Sequence, residues 1–583
     1  MPINIMRFFT FKIILSLFWF SLLGCQTNSS TSTYADTILT QGQFYTLNPQ
    51  QMRAEALAIK DGVVLFVGTT EEAMTYKGDA TIVRNLEGAF AMPGFIEGHG
   101  HFLRLGQSLM ELNFLNARRW DDIVAEVATA AATAAPGTWI IGRGWHQEKW
   151  DISPEKQVLG YPYHDALSAV SPDNPVILHH ASGHGLFANQ KAMELAGVNR
   201  ETASPVGGEI VRDAGGQAIG VFEERAMDII TQPYEAYLST LTEQEQEALW
   251  YKAISLAEQE CLSKGITSFQ DAGSSYADVA RYTALAESDS LNVRLWSMLR
   301  HSSERMKGQL AGFPILNKGN KFYTCRAIKT EVDGALGSFG AWLLSSYNDK
   351  PNFVGQNTTS VSEVKAIADL ARTAGMQLCV HAIGDRANRV VLDLMQETFA
   401  ENPATLAAQR WRVEHAQHLD TSDIPRFREM GIIASMQGIH CTSDAPFVVT
   451  RLGEERSRLG AYPWRSLLDQ DVTIANGTDA PVEDVSALAS FYASVTRKRA
   501  DTGFSFFPEQ RMTRAEAIHS YTLGNAYAGF EETFKGSLEV GKVADIVVLS
   551  EDLLTCTDEA ILDTKVLLTM VDGDVKYEHQ TME

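Results

Sequence analysis

The sequence predicts an α/β protein built on a parallel sheet, with a length that suits a barrel with insertions. Between residues 93 and 530, apolar strand-like runs alternate with helical segments, and this alternation places helices over a parallel sheet. The run Gln377-Leu378-Cys379-Val380 is one such strand, and it follows a helical segment from Val361 to Ala374. A doubly wound sheet stays open as the alternative, although no Gly-rich phosphate-binding turn follows an early strand.

Both ends of the chain have a shorter, β-like pattern. Ala56–Ile59 and Val63–Val67 are apolar runs separated by the turn residues Asp61-Gly62. The same pattern returns in Gly541–Leu549 and Val566–Val571. We therefore predict that the two ends pair into one β domain. Its predicted parts are residues 37–92 and 531–583, on either side of a barrel over residues 93–530.

The segment from about residue 139 to 224 is rich in Gly, His and Trp and lacks a clean period. We predict that it is an insertion after the first barrel strand and that it lies beside the active site. Trp145, Trp150 and Phe187 suggest an aromatic wall for part of a substrate, but the core of the insertion would use the same residues.

The first residues have the layout of a secretory signal. Arg7 and Lys12 precede an apolar run from Ile13 to Leu23, which is too short to span a bilayer. The run ends in Leu22-Leu23-Gly24-Cys25, which resembles a bacterial lipobox. An uncleaved signal anchor and a plain signal peptide are the alternatives.

The lipobox interpretation makes Cys25 the lipidated first residue of the mature protein. It predicts a signal peptide over residues 1–24 and a polar tether over residues 25–36. Gln26 stands where an aspartate often retains such proteins at the inner membrane, so we expect an outer-membrane anchor facing the periplasm. Contact with the membrane is expected only through this lipid.

The formal net charge of −23 at pH 7 is spread along the chain. Such a surface repels nucleic acid, so no nucleic-acid partner is expected. Apart from Cys25, five cysteines are widely spaced and form no CxxC pair. We expect them to be buried free thiols, without a disulfide framework or a cysteine zinc site.

The strongest motif is Pro93-Gly94-Phe95-Ile96-Glu97-Gly98-His99-Gly100-His101, an apolar strand that ends in two histidines. Side chains at positions i and i+2 of a strand project to the same side, so His99 and His101 can reach one metal ion. A strand that ends this way fits the catalytic end of a barrel.

Three more candidate ligands follow apolar strands. His381 comes directly after one strand, His415 ends the next, and Asp479 follows a third. Four imidazoles and a carboxylate at separate strand ends suit zinc or another borderline divalent ion. Asp385 is expected to orient the backbone or His381, and Asp271, which also ends a strand, to be structural.

Lys329 ends the strand Arg326-Ala327-Ile328-Lys329-Thr330. A lysine in that place is usually a surface or ion-pairing residue. Beside the proposed ligands it could instead be carbamylated, which supplies two oxygens able to bridge two metal ions. The sequence leaves both interpretations open.

One family orders such residues in the same way. The set His99, His101, Lys329, His381, His415 and Asp479 resembles the amidohydrolase superfamily, in the amidohydrolase 3 branch that is similar to N-substituted formamide deformylases. The resemblance covers about residues 37 to 575 and implies a (β/α)8 TIM barrel with a small β-sandwich formed from both chain ends. The supporting motifs are Gly142-Arg143-Gly144-Trp145, Ser182-Gly183-His184, Asp333-Gly334-Ala335-Leu336-Gly337, Tyr462-Pro463-Trp464 and Lys535-Gly536-Ser537-Leu538-Glu539-Val540-Gly541-Lys542-Val543-Ala544-Asp545.

The resemblance implies a site for one or two divalent ions, with zinc expected. His99 and His101 would hold one ion, His381 and His415 the other, and carbamylated Lys329 would bridge them.

Asp479 is predicted to be both a metal ligand and the catalytic base, because the reaction needs a carboxylate near the nucleophilic water. The predicted activity is hydrolysis of a non-peptide carbon–nitrogen bond, in an amide or formamide of a small molecule. A deaminase or cyclic-amide hydrolase on the same scaffold is the first alternative, and a non-catalytic binding protein of the bacterial cell envelope is the second. A homodimer stays open.

Substrate contacts are expected from Trp145, His146, His184 and His440, with ordinary loop or core roles as the alternative.

Several positions differ from the pattern of the branch. Glu97-Gly98 stands where Asp-Ser is commoner, His146 stands where aspartate is frequent, and His179-His180 stands where arginine is common nearby. Asp471 and Asn476 replace smaller residues. None of these changes removes a proposed ligand, so we expect them to concern the substrate and not the metal.

Overall fold

The structure is a computed structural model that describes residues 34–114, 117–147, 150–180, 185–205 and 208–580. The predicted signal peptide, the lipidation site Cys25 and the candidate pocket residue His184 lie outside the described residues. Within these ranges, no helix combines the length and apolar character needed to cross a bilayer.

The predicted fold class is confirmed, because eight parallel strands form a nearly closed barrel. Each strand pairs in parallel with the next along the chain. The barrel strands are β1 (Phe95–Gly100), β2 (Ile266–Ser274), β3 (Arg294–Leu299), β4 (Tyr323–Glu331), β5 (Gln377–Ala382), β6 (Arg412–His415), β7 (Ile433–Gln437) and β8 (Ile474–Gly477).

Two backbone hydrogen bonds connect the first barrel strand to the residues that follow the last one. Asp479 donates its N–H to the carbonyl of His99, and His101 donates to the carbonyl of Ala480, each at 2.7 Å. These bonds hold the end of β1 against the end of β8. Because both ends carry predicted metal ligands, barrel closure and site assembly coincide.

Helices cover the outside of the barrel, as the alternating pattern predicts. The main ones are α1 (Phe102–Ser108), α2 (Glu243–Ser263), α3 (Tyr276–Glu287), α4 (Val361–Ala374), α5 (Asp385–Thr398), α6 (Ile424–Met430), α7 (Gly438–Leu452) and α8 (Ala487–Thr496). Shorter helices are Ser303–Met306, Lys318–Lys321, Leu406–Gln409, Glu454–Gly460, Trp464–Leu468, Arg514–Ser520, Leu523–Ala528 and Asp558–Asp563.

Helix α4 shows why these segments are helical. The side chain of Ser360 caps its first turn by accepting from the N–H of Glu363, and Gly375 ends it with φ of 65°. Its apolar positions recur at three- and four-residue spacing, and the residues that they bury are Val364, Ile367, Ala368 and Ala371. One apolar stripe therefore packs against the barrel.

The two chain ends share one β domain. Its first sheet has the order Val63–Gly68, Ala56–Lys60, Thr37–Thr40, Ile82–Asn85. Its second sheet has the order Asp574–Glu578, Val566–Val571, Ile546–Leu549, Phe90–Pro93, Gln43–Tyr45, Arg53–Ala54. Val547 pairs with Met92 in this second sheet, so strands from opposite ends of the chain are direct neighbours.

The insertion after β1 is larger than residues 139–224. It contains a six-stranded sheet in the order Gly208–Arg212, Ala218–Glu224, Gly185–Ala188, Val176–His180, Ile140–Trp145, Leu112–Asn113. Its helices are Trp120–Thr133, Asp165–Val170, Gln190–Leu195 and Met227–Thr240. Because Trp120–Thr133 has an ordinary amphipathic pattern, sequence alone does not separate it from the barrel helices.

The five cysteines of the described chain are free, and four of them are buried: Cys261, Cys325, Cys379 and Cys441, with Cys556 partly exposed. No disulfide links any of the described residues.

Arg294 joins the barrel to the β domain. This residue of β3 is 1% exposed, and its guanidinium lies 2.8 Å from a carboxylate oxygen of Asp545 and 2.8 Å from one of Asp572. Both aspartates come from the C-terminal part of the chain, so one buried ion cluster ties the two domains together.

Replacing Asp545 with Asn should lower the free energy of unfolding by about 3 kcal/mol, because it leaves a buried guanidinium short of one negative partner. The measurement is denaturant unfolding followed by fluorescence. Asp501→Asn is the matched control, since Asp501 pairs with Arg499 at the surface and its loss should cost less than about 1 kcal/mol. An equal loss of unfolding free energy in the two variants would contradict the role of Asp545 in tying the two domains together.

Candidate metal centre

The two histidines of the first motif point into the mouth of the barrel. The Nδ1 atom of His99 is bonded to the carboxylate of Glu414, which leaves Nε2 directed at the site. The Nε2 atoms of His99 and His101 lie 3.6 and 3.2 Å from Oδ1 of Asp479. The spacing of i and i+2 on β1 therefore brings both imidazoles to one carboxylate.

His381 and His415 complete the ring of imidazoles. The ring centres of His381 and His415 are 4.4 Å apart, and those of His99 and His415 are 4.8 Å apart. Nδ1 of His415 donates to the amide oxygen of Gln437 at 2.8 Å, so its Nε2 carries the lone pair. All four predicted histidines meet at the C-terminal ends of β1, β5 and β6.

Asp479 lies in the turn after β8 and has φ of +60°, a left-handed backbone conformation that is uncommon outside glycine. Burial acts to raise its pKa, but the hydrogen bond of His101 and the nearby imidazoles lower that pKa well below the ordinary value. The side chain is therefore a carboxylate at neutral pH, as a ligand or a base requires.

Lys329 is on β4 and is only 3% exposed, within the same group of residues. Burial lowers its pKa from the ordinary value, while the charges of Glu414 and Asp479 act in the opposite direction. The uncharged form of the Lys329 amine is thus favoured more here than it would be at the protein surface.

The donor atoms fit a divalent cation. Among the described residues, Nε2 of His99 and Nε2 of His381 are buried and have no hydrogen-bond partner. Burial lowers the pKa of His381 to about 3, so this imidazole is neutral and can offer a lone pair to a metal. In the described part of the chain, ligand atoms lie within 4.8 Å of one another in two trios: His99, His101 and Asp479, and His415, His440 and Asp479.

Glu414 is a functional residue that the sequence analysis missed. It is fully buried, it binds His99, and an oxygen of its carboxylate lies 2.7 Å from Nε of Arg412. A carboxylate on Nδ1 of a ligating histidine orients the ring and increases its basicity. The sequence did contain an indication of this role, because Glu414 directly precedes the predicted ligand His415 at the end of β6.

The contacts of Glu97 differ from those expected from the sequence. We expected its departure from the family pattern to concern the substrate, but its buried carboxylate accepts hydrogen bonds from the backbone N–H (2.7 Å) and hydroxyl (3.0 Å) of Thr478. It also accepts from the N–H of His99 at 3.2 Å. Glu97 therefore holds β1 beside the turn that carries Asp479, which makes it part of the metal architecture.

Two further acids bind backbone. Asp333 accepts from the N–H groups of Trp342, Ile383 and Gly384 at 2.8 to 2.9 Å, which positions the loop after His381. Asp385 accepts from Leu344 at 2.8 Å, in agreement with an orienting role.

Asp271, at the end of β2, accepts from the N–H of Phe102 at 2.9 Å, at the start of α1. This bond fixes the chain directly after His101, so the structural role expected for Asp271 agrees with its contacts.

The predicted substrate contacts fall in different places. Trp145 is 1% exposed, and its indole N–H donates to the carbonyl of Leu178 at 2.7 Å, within the core of the insertion. That environment supports the core role that the sequence left open. The ring of His146 lies 4.5 Å from that of His180. His440, in contrast, lies in the metal cluster, with its ring 6.2 Å from that of His415.

Sequence comparison agrees with this geometry. A model of the amidohydrolase family matches residues 83–577. This chain belongs to the amidohydrolase family.

Similar proteins cover nearly the whole chain. Protein LONG AFTER FAR-RED 3 from Arabidopsis thaliana is 31% identical over 93% of this chain and 92% of its own length. An N-substituted formamide deformylase from Arthrobacter pascens is 26% identical over 93% and 98%. The crystal structure of an uncharacterized metal-dependent hydrolase from Pyrococcus furiosus has a TM-score of 0.71 at 25% identity, over 89% of this chain and 100% of that chain. Together with the histidine cluster, the family identifies this amidohydrolase as a metal-dependent hydrolase that uses a divalent ion.

Replacing Glu414 with Gln should raise the dissociation constant for a divalent ion roughly 10- to 100-fold, because His99 loses the carboxylate that orients it. The measurement is competition with a chromophoric chelator at fixed pH. Glu429→Gln, on the exposed face of α6, is the control and should bind metal as the wild type does. Circular dichroism checks that both variants are folded. Unchanged affinity in folded Glu414→Gln would contradict this role.

Proposed function

We propose that this amidohydrolase cleaves a non-peptide carbon–nitrogen bond, an amide or formamide, in a small molecule. The observation that carries the proposal is the position of the Asp479 side chain, whose Oδ1 lies 3.2 Å from Nε2 of His101 and 3.6 Å from Nε2 of His99. The similarity to an N-substituted formamide deformylase supports the choice of bond. A small molecule could also reach these residues, since the side chains of His101 and His381 are 26% and 19% exposed at the barrel mouth.

A divalent ion, when bound, lowers the pKa of a water molecule from about 15.7 to about 7. Asp479 would accept a proton from the attacking water as the water oxygen bonds to the carbonyl carbon and the carbonyl π electrons move to the carbonyl oxygen. Asp479 then passes the proton to the nitrogen as the carbon–nitrogen bond breaks. The products are a carboxylic acid and an amine, so one water is consumed for each bond cleaved.

The number of ions depends on Lys329. We propose that His99 and His101 would hold one zinc ion, that His381 and His415 would hold a second, and that Lys329, once carbamylated, would supply oxygen ligands to both. Burial supports this proposal, because the uncharged amine is the form that adds to carbon dioxide: its nitrogen bonds to the carbon and loses a proton. An unmodified lysine beside a single ion is the alternative.

Elemental analysis of zinc-loaded protein that begins after residue 25 tests this arrangement. The wild type should hold two ions per chain, and His99→Ala and Lys329→Ala should each hold fewer. A carbamate signal in carbon-13 NMR, after exchange with labelled bicarbonate, should vanish in Lys329→Ala. Lys365→Ala, a surface variant, is the matched control. One ion in the wild type, unchanged in Lys329→Ala, would contradict the bridging carbamate.

Asp479→Asn should lower kcat by about 10²- to 10⁴-fold, because the asparagine amide cannot accept the proton of the water. The substrate is the best compound from a panel of formamides and acetamides that includes N-(4-nitrophenyl)formamide, with amine release as the readout. Metal content, measured in parallel, should be largely retained. Asp484→Asn, at an exposed aspartate in the same loop, is the control.

Full activity of Asp479→Asn would refute its role as the base. Release of ammonia instead of a substituted amine would assign the protein to the deaminases.

For localisation, we propose a lipid anchor at Cys25 on the periplasmic side of the bacterial outer membrane. The lipobox-like Leu22-Leu23-Gly24-Cys25 supports it. Cys25→Ser should move the protein from the membrane fraction to the soluble periplasmic fraction. Membrane association that survives this change would point to an uncleaved signal anchor instead.

A further inference from the structure

His440 has no role in the metal scheme, yet it lies inside the site. It belongs to the first turn of α7, directly after β7, and it is only 7% exposed. Its ring stacks at 16° to the ring of His415, with centres 6.2 Å apart. A buried imidazole placed beside a metal ligand is either a further ligand or a hydrogen-bonding group.

The hydrogen bonds of the two histidines distinguish these roles. Nδ1 of His415 faces the amide oxygen of Gln437 at 2.8 Å, so Nδ1 carries the proton and Nε2 carries the lone pair. Nδ1 of His440 faces the amide nitrogen of Gln417 at 3.1 Å. An amide nitrogen only donates, so Nδ1 of His440 is the acceptor and Nε2 carries the proton. The two stacked rings therefore have opposite tautomers.

This tautomer makes Nε2 of His440 a donor. The atom is buried, and among the described residues it has no hydrogen-bond partner. A nitrogen of His440 and the ligand atoms of His415 and Asp479 lie within 4.8 Å of one another, so a group bound beside one of them is close to the other two. Buried polar groups normally have a partner, so an acceptor that is not part of the described chain is expected at this point.

We propose that His440 is a catalytic residue that donates a hydrogen bond from Nε2 to the carbonyl oxygen of the scissile amide. As the water oxygen bonds to the carbonyl carbon, the π electrons move to the carbonyl oxygen, and the N–H of His440 stabilises the negative charge there. The proton stays on Nε2 throughout. Gln417 is a positioning residue, since it fixes the tautomer. This inference rests on the proposed amide hydrolysis.

The first experiment measures kcat and KM on N-(4-nitrophenyl)formamide with zinc-loaded protein. His440→Ala should lower kcat about 10²- to 10³-fold, the usual effect of losing one oxyanion donor, with zinc content unchanged. His440→Gln keeps an N–H donor and should fall between the Ala variant and the wild type. His519→Ala, at an exposed position of the helix Arg514–Ser520, is the control. Loss of zinc from His440→Ala would make His440 a ligand and would overturn the proposal, as would unchanged kcat.

The second experiment does not depend on activity. Nitrogen-15 NMR of histidine-labelled, zinc-loaded protein should show a neutral Nε2–H tautomer that is absent from His440→Gln. Assignment of the His440 signal to the Nδ1–H tautomer would overturn the inference. If the wild type hydrolyses no amide while the Nε2–H signal is present, the proposed function fails and the donor assignment stands. The two failures are therefore distinguishable.

Discussion

The contact between the first and last barrel strands is the constraint on which the site depends. His99 and His101 end β1, Asp479 follows β8, and backbone hydrogen bonds of 2.7 Å join the two segments directly. Glu97 adds side-chain bonds across the same contact, to Thr478. Small residues are required there, since a Cβ on Gly98 would lie 2.5 Å from the carbonyl of Asn476. A change that opens this contact separates the imidazoles from the carboxylate that they share.

The buried charges around the site are paired, which is how the protein tolerates them. Arg412 and Glu414 are both fully buried, and their charges offset each other while Glu414 also holds His99. Asp333 places its carboxylate among three backbone N–H groups. Isolated charges at such depth would be costly, so these residues form a network in which each member fixes another.

The candidate metal site belongs to the barrel, and the insertion has a sheet and a core of its own. The proposed metal ligands come from β1, β4, β5 and β6 and from the turn after β8. The insertion builds its own sheet and its own aromatic core around Trp120, Trp145 and Phe187. Those tryptophans therefore serve the core of the insertion itself.

Much of the architecture could be predicted from local pattern. Alternating strands and helices indicated the barrel, and β-like ends indicated a shared domain, because both depend on periodicity along the chain. The candidate ligands His99, His101, His381, His415 and Asp479 were predictable for a related reason. Each ends or follows a strand, and the carboxyl ends of parallel strands meet at one face of a barrel.

Only the tertiary structure decided which side chains act on which. Glu414 and His99 are 315 residues apart, and no local pattern predicts their bond. The full extent of the insertion was hidden because its first helix has the same amphipathic period as a barrel helix. Trp145 could be placed in a core instead of a pocket wall only once its neighbours were known. The sequence by itself determined the kinds of ligand and the barrel that gathers them. Their orientation, tautomer and protonation depend on contacts between distant segments, so they were decided by the tertiary structure alone.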